Sequence, residues 1–361
     1  MENMPDCALS KGYRTRLTFE LKLAGRGTNA APFSSIKQPS FLVRLRIKLY
    51  SANVMEQLDT SFLAEVFSGS LPLPASLEPN LEGALRSVLE NPGSLIRPRL
   101  VFQMGTAYGM DAANAQRLAV ALEYFHTASL LFDDLPCMDN AIERRGALCT
   151  HIAYGEEGAI LTALALINRA YALTWRAVAS SPEARQAKAM SFIEGCLGVG
   201  GLLNGQSFDL HYATLPSTLE TTERIARGKT VSLIRLTLAL PAMLGGASSR
   251  ELQQIERISE FWGLGYQIVD DLKDVLQSAP QTGKTSARDV ELNRPNIAAA
   301  IGIGGAVRRL SRLIDLGDRV LGSLLARRPE LEFLERLRGD LQAELAKVTR
   351  DSFVLAEEGR P

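Results

Sequence analysis

The chain has 361 residues, of which 46% are hydrophobic and 22% are charged, so it can bury one large core or two smaller ones. Its 40 Lys and Arg equal its 40 Asp and Glu, which argues against nucleic acid as a partner. No apolar run reaches the ~18 residues of a membrane span, so we expect no stable membrane insertion.

Residues 1–54 differ from the remainder of the chain. Residues 1–50 hold nine Lys or Arg against three acidic residues. Residues 14–23 and 41–50 alternate apolar and polar side chains, which favours strands. A basic, acid-poor segment is typical of organelle-targeting peptides, although no amphipathic Arg-rich helix is present. We predict a poorly defined basic extension over 1–54 and one helical domain over 55–361, with organelle targeting as the alternative role of the extension.

From Met55 onward the pattern is one helix after another. Asp111 is a candidate N-cap, and Ser217 with Glu220 three residues later fits a capping box. Ser249 is expected to open a later helix. Because no strands alternate with helices, we predict an all-α fold, a single large bundle with a deep central cavity.

The segment Ser129–Gly146, SLLFDDLPCMDNAIERRG, contains three carboxylates, Asp133, Asp134 and Asp139. So many carboxylates at the end of an apolar helix repel one another unless a divalent cation lies between them. Magnesium binds few protein carboxylates and fills its other positions with water and phosphate oxygens. The following Arg144 and Arg145 offer planar donors to the same phosphates. The segment therefore predicts a metal-held diphosphate, and the alternative is a solvated acidic turn.

A second acidic cluster favours the diphosphate hypothesis. YQIVDDLKDVLQ contains Asp270, Asp271 and Asp274, with Gln267 one turn earlier. Positions i and i+4 share a helix face, so Asp270 and Asp274 point the same way. Two acidic clusters in apolar helices could hold one diphosphate from both sides. His126, two turns before Asp133, would point into the same cavity rather than being an ordinary core histidine.

These motifs resemble the trans-isoprenyl diphosphate synthases, in the geranylgeranyl and farnesyl diphosphate synthase branch. DDLPCMD followed by RRG is similar to the first aspartate-rich motif of the family, DDLKD is similar to the second, and the resemblance runs from about residue 81 to 302. It implies the isoprenoid synthase fold and a homodimer. It also implies isopentenyl diphosphate and an allylic prenyl diphosphate as substrates, with Mg²⁺ as cofactor and Mn²⁺ as the alternative.

The resemblance also implies roles for individual residues. The metal ligands would be the six aspartates of the two motifs, Asp133, Asp134, Asp139, Asp270, Asp271 and Asp274. The allylic diphosphate would be bound by Arg144, Gln206, Lys229, Lys284 and Arg294. The isopentenyl diphosphate would be bound by Arg97, His126 and Arg145. The polar groups at the reacting centre would be Lys229, Thr230 and Gln267.

One family motif is incomplete in this chain. NPGSLIRPRL resembles a Gly-Gly-Lys-Arg-x-Arg-Pro segment, but Ser94 and Leu95 replace the lysine and the first arginine. Each charged phosphate contact contributes about 1.5–3 kcal/mol, so weaker binding of isopentenyl diphosphate is expected unless another cation substitutes. Arg99 is the candidate replacement.

The length of the product is predicted from the helix before the first motif. In the family, bulky side chains five and eight residues before the first aspartate form the floor of the tail pocket. Ala128 and Phe125 occupy these positions. Ala128 is too small to stop the growing tail, and Phe125 lies roughly 4–5 Å deeper at ~1.5 Å rise per residue. Geranylgeranyl diphosphate is therefore the predicted product, with farnesyl diphosphate second.

The predicted mechanism is ionisation of the allylic diphosphate, condensation with the double bond of isopentenyl diphosphate, and loss of a proton. The alternatives are a weakly active or regulatory subunit of a heteromeric synthase, suggested by Ser94, Leu95 and Leu164, and a terpene cyclase. A purely structural helical protein is the third alternative. The four cysteines form no CxxC pair and no zinc spacing with the three histidines, which predicts a reduced, cytoplasmic protein.

Overall fold

A computed structural model describes residues 60–276 and 294–357. The basic extension 1–54, its predicted strands and the boundary at 54/55 lie outside the described residues, so these remain predictions. α-Helices dominate the described ranges, and the all-α prediction is confirmed. None of the helices described is both long and apolar enough to cross a membrane.

The first half of the fold consists of long helices and one short β-hairpin. The helices are α1 (Thr60–Gly69), α2 (Pro79–Glu90), α3 (Ile96–Ala107), α4 (Ala112–Asp133), α5 (Thr150–Ala179) and α6 (Glu183–Leu197). The antiparallel hairpin pairs β1 (Glu143–Arg144) with β2 (Ala147–Leu148). It lies between α4 and α5, directly after the first acidic motif.

The second half contains the remaining helices. These are α7 (Leu202–Leu210), α8 (Leu219–Ala226), α9 (Ser232–Gly245), α10 (Ser249–Leu276), α11 (Ile297–Ile301), α12 (Ile303–Leu325) and α13 (Leu334–Glu357). Single 3₁₀ turns occupy Tyr212–Thr214 and Pro329–Leu331. A π-helical segment, Arg227–Val231, joins α8 to α9.

Helix α9 lies between two apolar cores. Its sequence, SLIRLTLALPAMLG, is apolar almost all round, as expected for a helix that is buried on every side. Leu236 and Leu240 pack into the core that contains α4, α5 and α6. Leu238 and Ala239 pack into the core that contains α10, α12 and α13. The first acidic motif begins at the end of α4, a helix of the first core. The second acidic motif lies at the end of α10, a helix of the second core.

The helix starts test three of the predictions. The prediction for Asp111 is confirmed, because its carboxylate accepts hydrogen bonds from the backbone N–H groups of residues 113 and 114. The prediction for Ser217 is wrong: Thr218 caps α8, and the hydroxyl of Ser217 accepts a hydrogen bond from Tyr212 instead. Ser249 begins α10 as predicted, while a capping box forms one residue earlier, between Ser248 and Glu251.

Candidate active site

The loop after α4 folds the first acidic motif back on itself. The backbone N–H of Asp139 donates to the carbonyl of Asp133, 2.9 Å away. The hairpin then brings Arg144 onto Asp134, whose two carboxylate oxygens lie 2.7 and 2.9 Å from Nε. Asp134 is 3% exposed and is neutralised by this bidentate pair. Asp133 and Asp139 remain half-buried on the side of the loop that faces the site.

The second acidic motif divides in a similar way. Asp271 is buried and accepts hydrogen bonds from Gln267 Nε2 at 2.8 Å and from the backbone N–H of Ile297 at 2.6 Å. It therefore joins the end of α10 to the start of α11. Asp270 is exposed and Asp274 is half-buried, and their i, i+4 spacing puts both on one face of α10.

The π-helical segment hydrogen-bonds to α7 and to α10 and lies near both acidic motifs. Lys229 Nζ donates to Asp209 Oδ2 on α7 at 2.9 Å. The next residue, Thr230, donates its hydroxyl to Gln267 Oε1 at 2.6 Å, and Gln267 in turn donates to Asp271. Segments of π-helix are rare and occur mostly at functional sites. In this segment, two consecutive side chains donate hydrogen bonds to partners on two different helices.

Arg294, which follows the second motif in the chain, contacts the same group of carboxylates. Its guanidinium is 10% exposed, donates to Asp139 Oδ1 at 2.8 Å and lies 3.8 Å from Asp209 Oδ2. Gln206, on α7, lies beside the same loop with Nε2 4.0 Å from the sulfur of Met138. Lys284 lies outside the described residues, as does the neighbouring Arg288.

Two glycines allow the π-helical segment to approach α7. A Cβ added to Gly205 would lie 2.3 Å from the backbone nitrogen of Lys229 and 2.5 Å from the carbonyl carbon of Gly228. A Cβ on Gly228 would lie 2.7 Å from Cα of Gly205. Since these neighbours are backbone atoms, neither position accepts a side chain without displacement of Lys229.

The first motif combines burial with several carboxylates that lie close together. Burial raises the pKa of Asp133 to about 6, and the nearby carboxylates of Asp139 and Asp209 add to the rise, against Lys229 and Arg144. Burial also opposes the charge of Lys229, but Asp209, Asp133 and Asp139 outweigh it, so the pKa of Lys229 lies above its usual value. A cation bound here would relieve the repulsion among the carboxylates.

The carboxylates of the site fit magnesium that shares its ligands with a substrate. Among the described residues, no group of three metal-ligating side chains could hold an ion by itself. Magnesium at phosphate sites commonly uses one or two carboxylates and takes its other oxygens from phosphate and water. Asp133 and Asp139 on one motif, and Asp270 and Asp274 on the other, are the carboxylates that suit this role.

A second group of side chains consists of His126 on α4, Arg97 on α3 and Arg145 at the turn of the hairpin. Burial and the charges of Arg97, Arg145 and Arg144 lower the pKa of His126 to about 2, so its imidazole is neutral. Arg145 donates from Nη1 to the carbonyl of Asn91 at 3.1 Å. Its guanidinium lies over the backbone of Gly93, where an added Cβ would come 2.5 Å from its central carbon. The three residues predicted for isopentenyl diphosphate thus lie within electrostatic reach of one another.

The same pocket contains a residue that sequence reasoning missed. Glu123 lies one turn before His126 on α4, is 2% exposed and is close enough to Arg97 and Arg145 for their charges to affect its pKa. The available signal in the sequence was its spacing, because a residue three positions before a functional histidine on a helix lies on the same face. Asp209, one turn after Gln206 on α7, was not assigned a role from the sequence; the structure makes it the shared partner of Lys229 and Arg294.

The incomplete motif is folded into the core. Leu95 adopts a left-handed backbone conformation with φ 53° and is 2% exposed, while Ser94 is exposed. Arg99, the candidate replacement cation, lies two residues after Arg97, roughly 200° around a helix of 3.6 residues per turn. It therefore lies on the opposite face of α3 from Arg97, so it is not a replacement within this pocket.

The two residues predicted to limit product length are buried on α4. Ala128 is fully buried and Phe125 is 5% exposed. The ring of Phe125 packs edge-on against that of Tyr171 on α5, with centroids 4.9 Å apart. Tyr171 is itself 48% exposed, so its ring lies between Phe125 and the solvent-facing side of α5.

Comparison with known proteins gives a consistent match. The model of the family described as polyprenyl synthetase matches residues 78–314. The chain is 35% identical over 244 residues to geranylgeranyl pyrophosphate synthase 9, chloroplastic, of Arabidopsis thaliana, covering 66% of each protein, just under two thirds of that relative's length. It is 32% identical over 270 residues to farnesyl diphosphate synthase of Escherichia coli (strain K12), covering 74% of this chain and 89% of that one. The solved geranyltranstransferase of Thermotoga maritima superposes with a TM-score of 0.62 at 27% identity, covering 80% of this chain and 97% of that one.

Proposed function

The chain belongs to the polyprenyl synthetase family, and from that membership we propose that it is a trans-prenyltransferase, which condenses isopentenyl diphosphate with an allylic diphosphate in a magnesium-dependent head-to-tail reaction. One observation carries the proposal: Lys229 and Thr230, neighbours in the π-helical segment, connect the surroundings of the two acidic motifs. A substrate diphosphate held between these motifs would lie beside the lysine.

The metal is assigned to four of the six predicted aspartates. Asp133, Asp139, Asp270 and Asp274 would hold magnesium, or the alternative manganese, which also prefers oxygen ligands. Asp134 and Asp271 instead hold Arg144 and the start of α11. When bound, the metal neutralises charge on the departing diphosphate.

Cationic side chains stabilise the leaving group of the allylic substrate. Lys229 and Arg294 are held in place by carboxylates before substrate arrives, so their charge is preorganised. Gln206 and Lys284 are assigned to the same diphosphate. Arg144 reaches it less directly, because both oxygens of Asp134 already engage its guanidinium.

Thr230 is assigned to the reacting centre. Its hydroxyl proton is donated to Gln267, and the amide of Gln267 is fixed by donating to Asp271. The chain of hydrogen bonds therefore leaves the oxygen lone pairs of Thr230 available as acceptors, and in the proposed role they would stabilise the allylic carbon that becomes positive. No nucleophilic side chain takes part, because the double bond of isopentenyl diphosphate is the nucleophile.

Arg97, His126 and Arg145 hold the second substrate. The two guanidinium groups suit a diphosphate, and the neutral His126 can donate one N–H to it. The proton lost after condensation goes to the released diphosphate. Binding of isopentenyl diphosphate distinguishes this function from a terpene cyclase, which needs no second substrate.

We propose geranylgeranyl diphosphate as the main product, with farnesyl diphosphate second. Phe125 stands one layer beyond Ala128 on the same helix and is backed by Tyr171. If Phe125 forms the floor, Tyr171 is the next barrier behind it. Replacement of both rings should therefore lengthen the product more than replacement of Phe125 alone.

A homodimer is proposed on the evidence of an apolar face on α5. Leu161, Leu164, Tyr171 and Trp175 lie on one face of that helix and are each 48–56% exposed. A second copy of the chain would cover this surface. Cytoplasmic location stays a prediction from the cysteine pattern; the Arabidopsis relative is named as chloroplastic, and the extension that would carry targeting lies outside the described residues.

The test is turnover with defined substrates. Purified protein, magnesium, labelled isopentenyl diphosphate and each allylic diphosphate in turn should give longer prenyl diphosphates, identified by chromatography. Asp133→Asn and Asp270→Asn should each lower the rate about 100-fold or more, whereas Asp340→Asn, at an exposed position on α13, should leave it unchanged. Consumption of the allylic substrate alone would indicate a cyclase, and no turnover without an added partner chain would indicate a regulatory subunit.

A further inference from the structure

The pocket formed by Arg97, His126 and Arg145 contains a buried carboxylate that has no role in the condensation described above. Glu123 is 2% exposed, and its Oε2 atom has no hydrogen-bond partner among the described residues. His126, one turn later on the same face of α4, has an unpartnered Nδ1 atom. Buried polar atoms normally have partners, so two unpartnered ones on one helix face indicate a pocket that is completed by a ligand.

Two opposing influences act on the ionisation of Glu123. Burial raises the pKa of its carboxyl group, and the charges of Arg97 on α3 and Arg145 on the hairpin lower it. His126, on the same helix, stays neutral. On the buried faces of the neighbouring helices, α5 contributes His151 as a titratable group, and α9 contributes none. The two arginines are thus the main counter-charges of Glu123.

A diphosphate would take these counter-charges away. Arg97 and Arg145 are the groups that would bind the diphosphate of isopentenyl diphosphate, and a diphosphate carries more negative charge than the two arginines carry positive charge. Like charges confined to one buried site favour the protonation of one of them, and burial already raises the pKa of Glu123. The carboxylate of Glu123 and the bound diphosphate therefore cannot both remain fully ionised at low cost.

We propose that Glu123 takes up one proton from solvent when the diphosphate of isopentenyl diphosphate enters this pocket, and that the resulting O–H donates a hydrogen bond to a phosphate oxygen. The inference rests on the function proposed above. An O–H bond forms on the carboxyl group, no bond of the substrate changes, and the proton returns to solvent when the ligand leaves.

The proton would compensate for the incomplete motif. Ser94 and Leu95 stand where the related segment carries two cations, and Leu95 is buried in the core. Protonation of Glu123 removes one negative charge from the pocket, which is equivalent to restoring one of the two positive charges. Affinity for isopentenyl diphosphate should consequently rise as the pH falls.

Calorimetric binding of isopentenyl diphosphate to the full chain, with chelator present to exclude metal, tests the proposal. Titrations in two buffers of different ionisation enthalpy measure the protons taken up. Wild type should take up more protons than Glu123→Gln, and the phosphorus NMR shifts of the bound ligand should show no added proton on the diphosphate. Because glutamine resembles the protonated acid, Glu123→Gln should bind about threefold or more tightly than wild type at pH 8, with a flatter pH profile.

Control variants separate the possible failures. Glu123→Asp keeps a carboxyl group and should retain proton uptake, while Arg97→Met should abolish binding. Equal proton uptake by wild type and Glu123→Gln overturns the proposal. So does a Glu123→Gln variant that binds more weakly than wild type at every pH, which would indicate a purely structural carboxylate. Binding to wild type that Arg97→Met leaves unchanged overturns the assignment of this pocket, and absence of binding to wild type overturns the proposed function as well.

Discussion

Replacing Lys229 with methionine tests the link between the π-helical segment and the first acidic motif. Methionine keeps most of the volume of the side chain and removes its charge. Among the described residues, Asp209, which is buried, would then keep Arg294 as its counter-charge, at 3.8 Å. Asp133 would lose the cation that most opposes its raised pKa. Both stability and catalysis should therefore decrease.

The size of the stability loss follows from the geometry. Two unit charges 2.9 Å apart, the separation of Lys229 and Asp209, attract by about 6 kcal/mol at an effective dielectric constant of 20. Desolvation offsets much of this, and loss of one partner of a buried pair typically costs about 3–5 kcal/mol. The lysine is 27% exposed and Arg294 remains, so we expect the free energy of unfolding to fall by about 2–3 kcal/mol. The loss of preorganised charge should lower kcat by about 10²–10³.

Urea unfolding and steady-state kinetics on four proteins give the measurement. These are wild type, Lys229→Met, Asp209→Asn and the double variant. The interaction energy from the cycle should be about 2 kcal/mol. Lys229→Arg, which keeps the charge, should recover much of the stability and part of the rate. A methionine variant with unchanged stability and a kcat within about threefold of wild type would refute the reasoning.

Three further predictions concern other parts of the site. Phe125→Ala should lengthen the product, seen by chromatography of the dephosphorylated alcohols, and unchanged lengths would remove Phe125 as the floor. His126 has a pKa near 2 in the folded protein against 6.5 ordinarily, so the unfolded chain binds the proton first and stability falls as the pH drops below 6.5. His126→Gln should reduce the stability lost between pH 7 and pH 5 by about 2 kcal/mol in urea titrations, and an equal loss in both proteins would contradict this. Gly205→Ala should lower kcat about 10-fold or more, because its Cβ would meet the backbone nitrogen of Lys229 at 2.3 Å. Gly195→Ala, whose Cβ meets nothing within 4 Å, is the matched control, and equal activity of the two variants would show that the close approach is unimportant.

The fold class could be predicted from the sequence, and so could some of the residues that the structure brings together. Helical periodicity, N-cap residues such as Asp111 and the absence of alternating strands after Met55 are local signals, and they indicate an all-α bundle without knowledge of distant contacts. The i, i+4 spacing of Asp270 and Asp274 is also local. Resemblance to a family supplied the roles of residues such as Lys229 that no spacing rule could assign.

Other features depend on contacts between distant parts of the chain. Asp134 and Asp271 look like their neighbours in the sequence, but Arg144 and the backbone of Ile297 engage them in the fold. The closeness of Gly205 and Gly228 arises from packing between α7 and the π-helical segment. No local pattern reports such partners, so the sequence could not show that these two carboxylates are engaged within the protein.

Because of the π-helical segment, the number of residues between α8 and α9 matters for function. A π turn holds one residue more than the α-helix it interrupts, so deletion of any one residue within Arg227–Val231 would let the helix run straight through. The wide turn takes up its extra residue locally, so α8 and α9 would stay in nearly the same register and the leucines of α9 would keep their cores. Lys229 and Thr230 would change direction relative to Asp209 and Gln267. A change in residue count here would therefore alter the site while leaving the packing of the bundle largely intact.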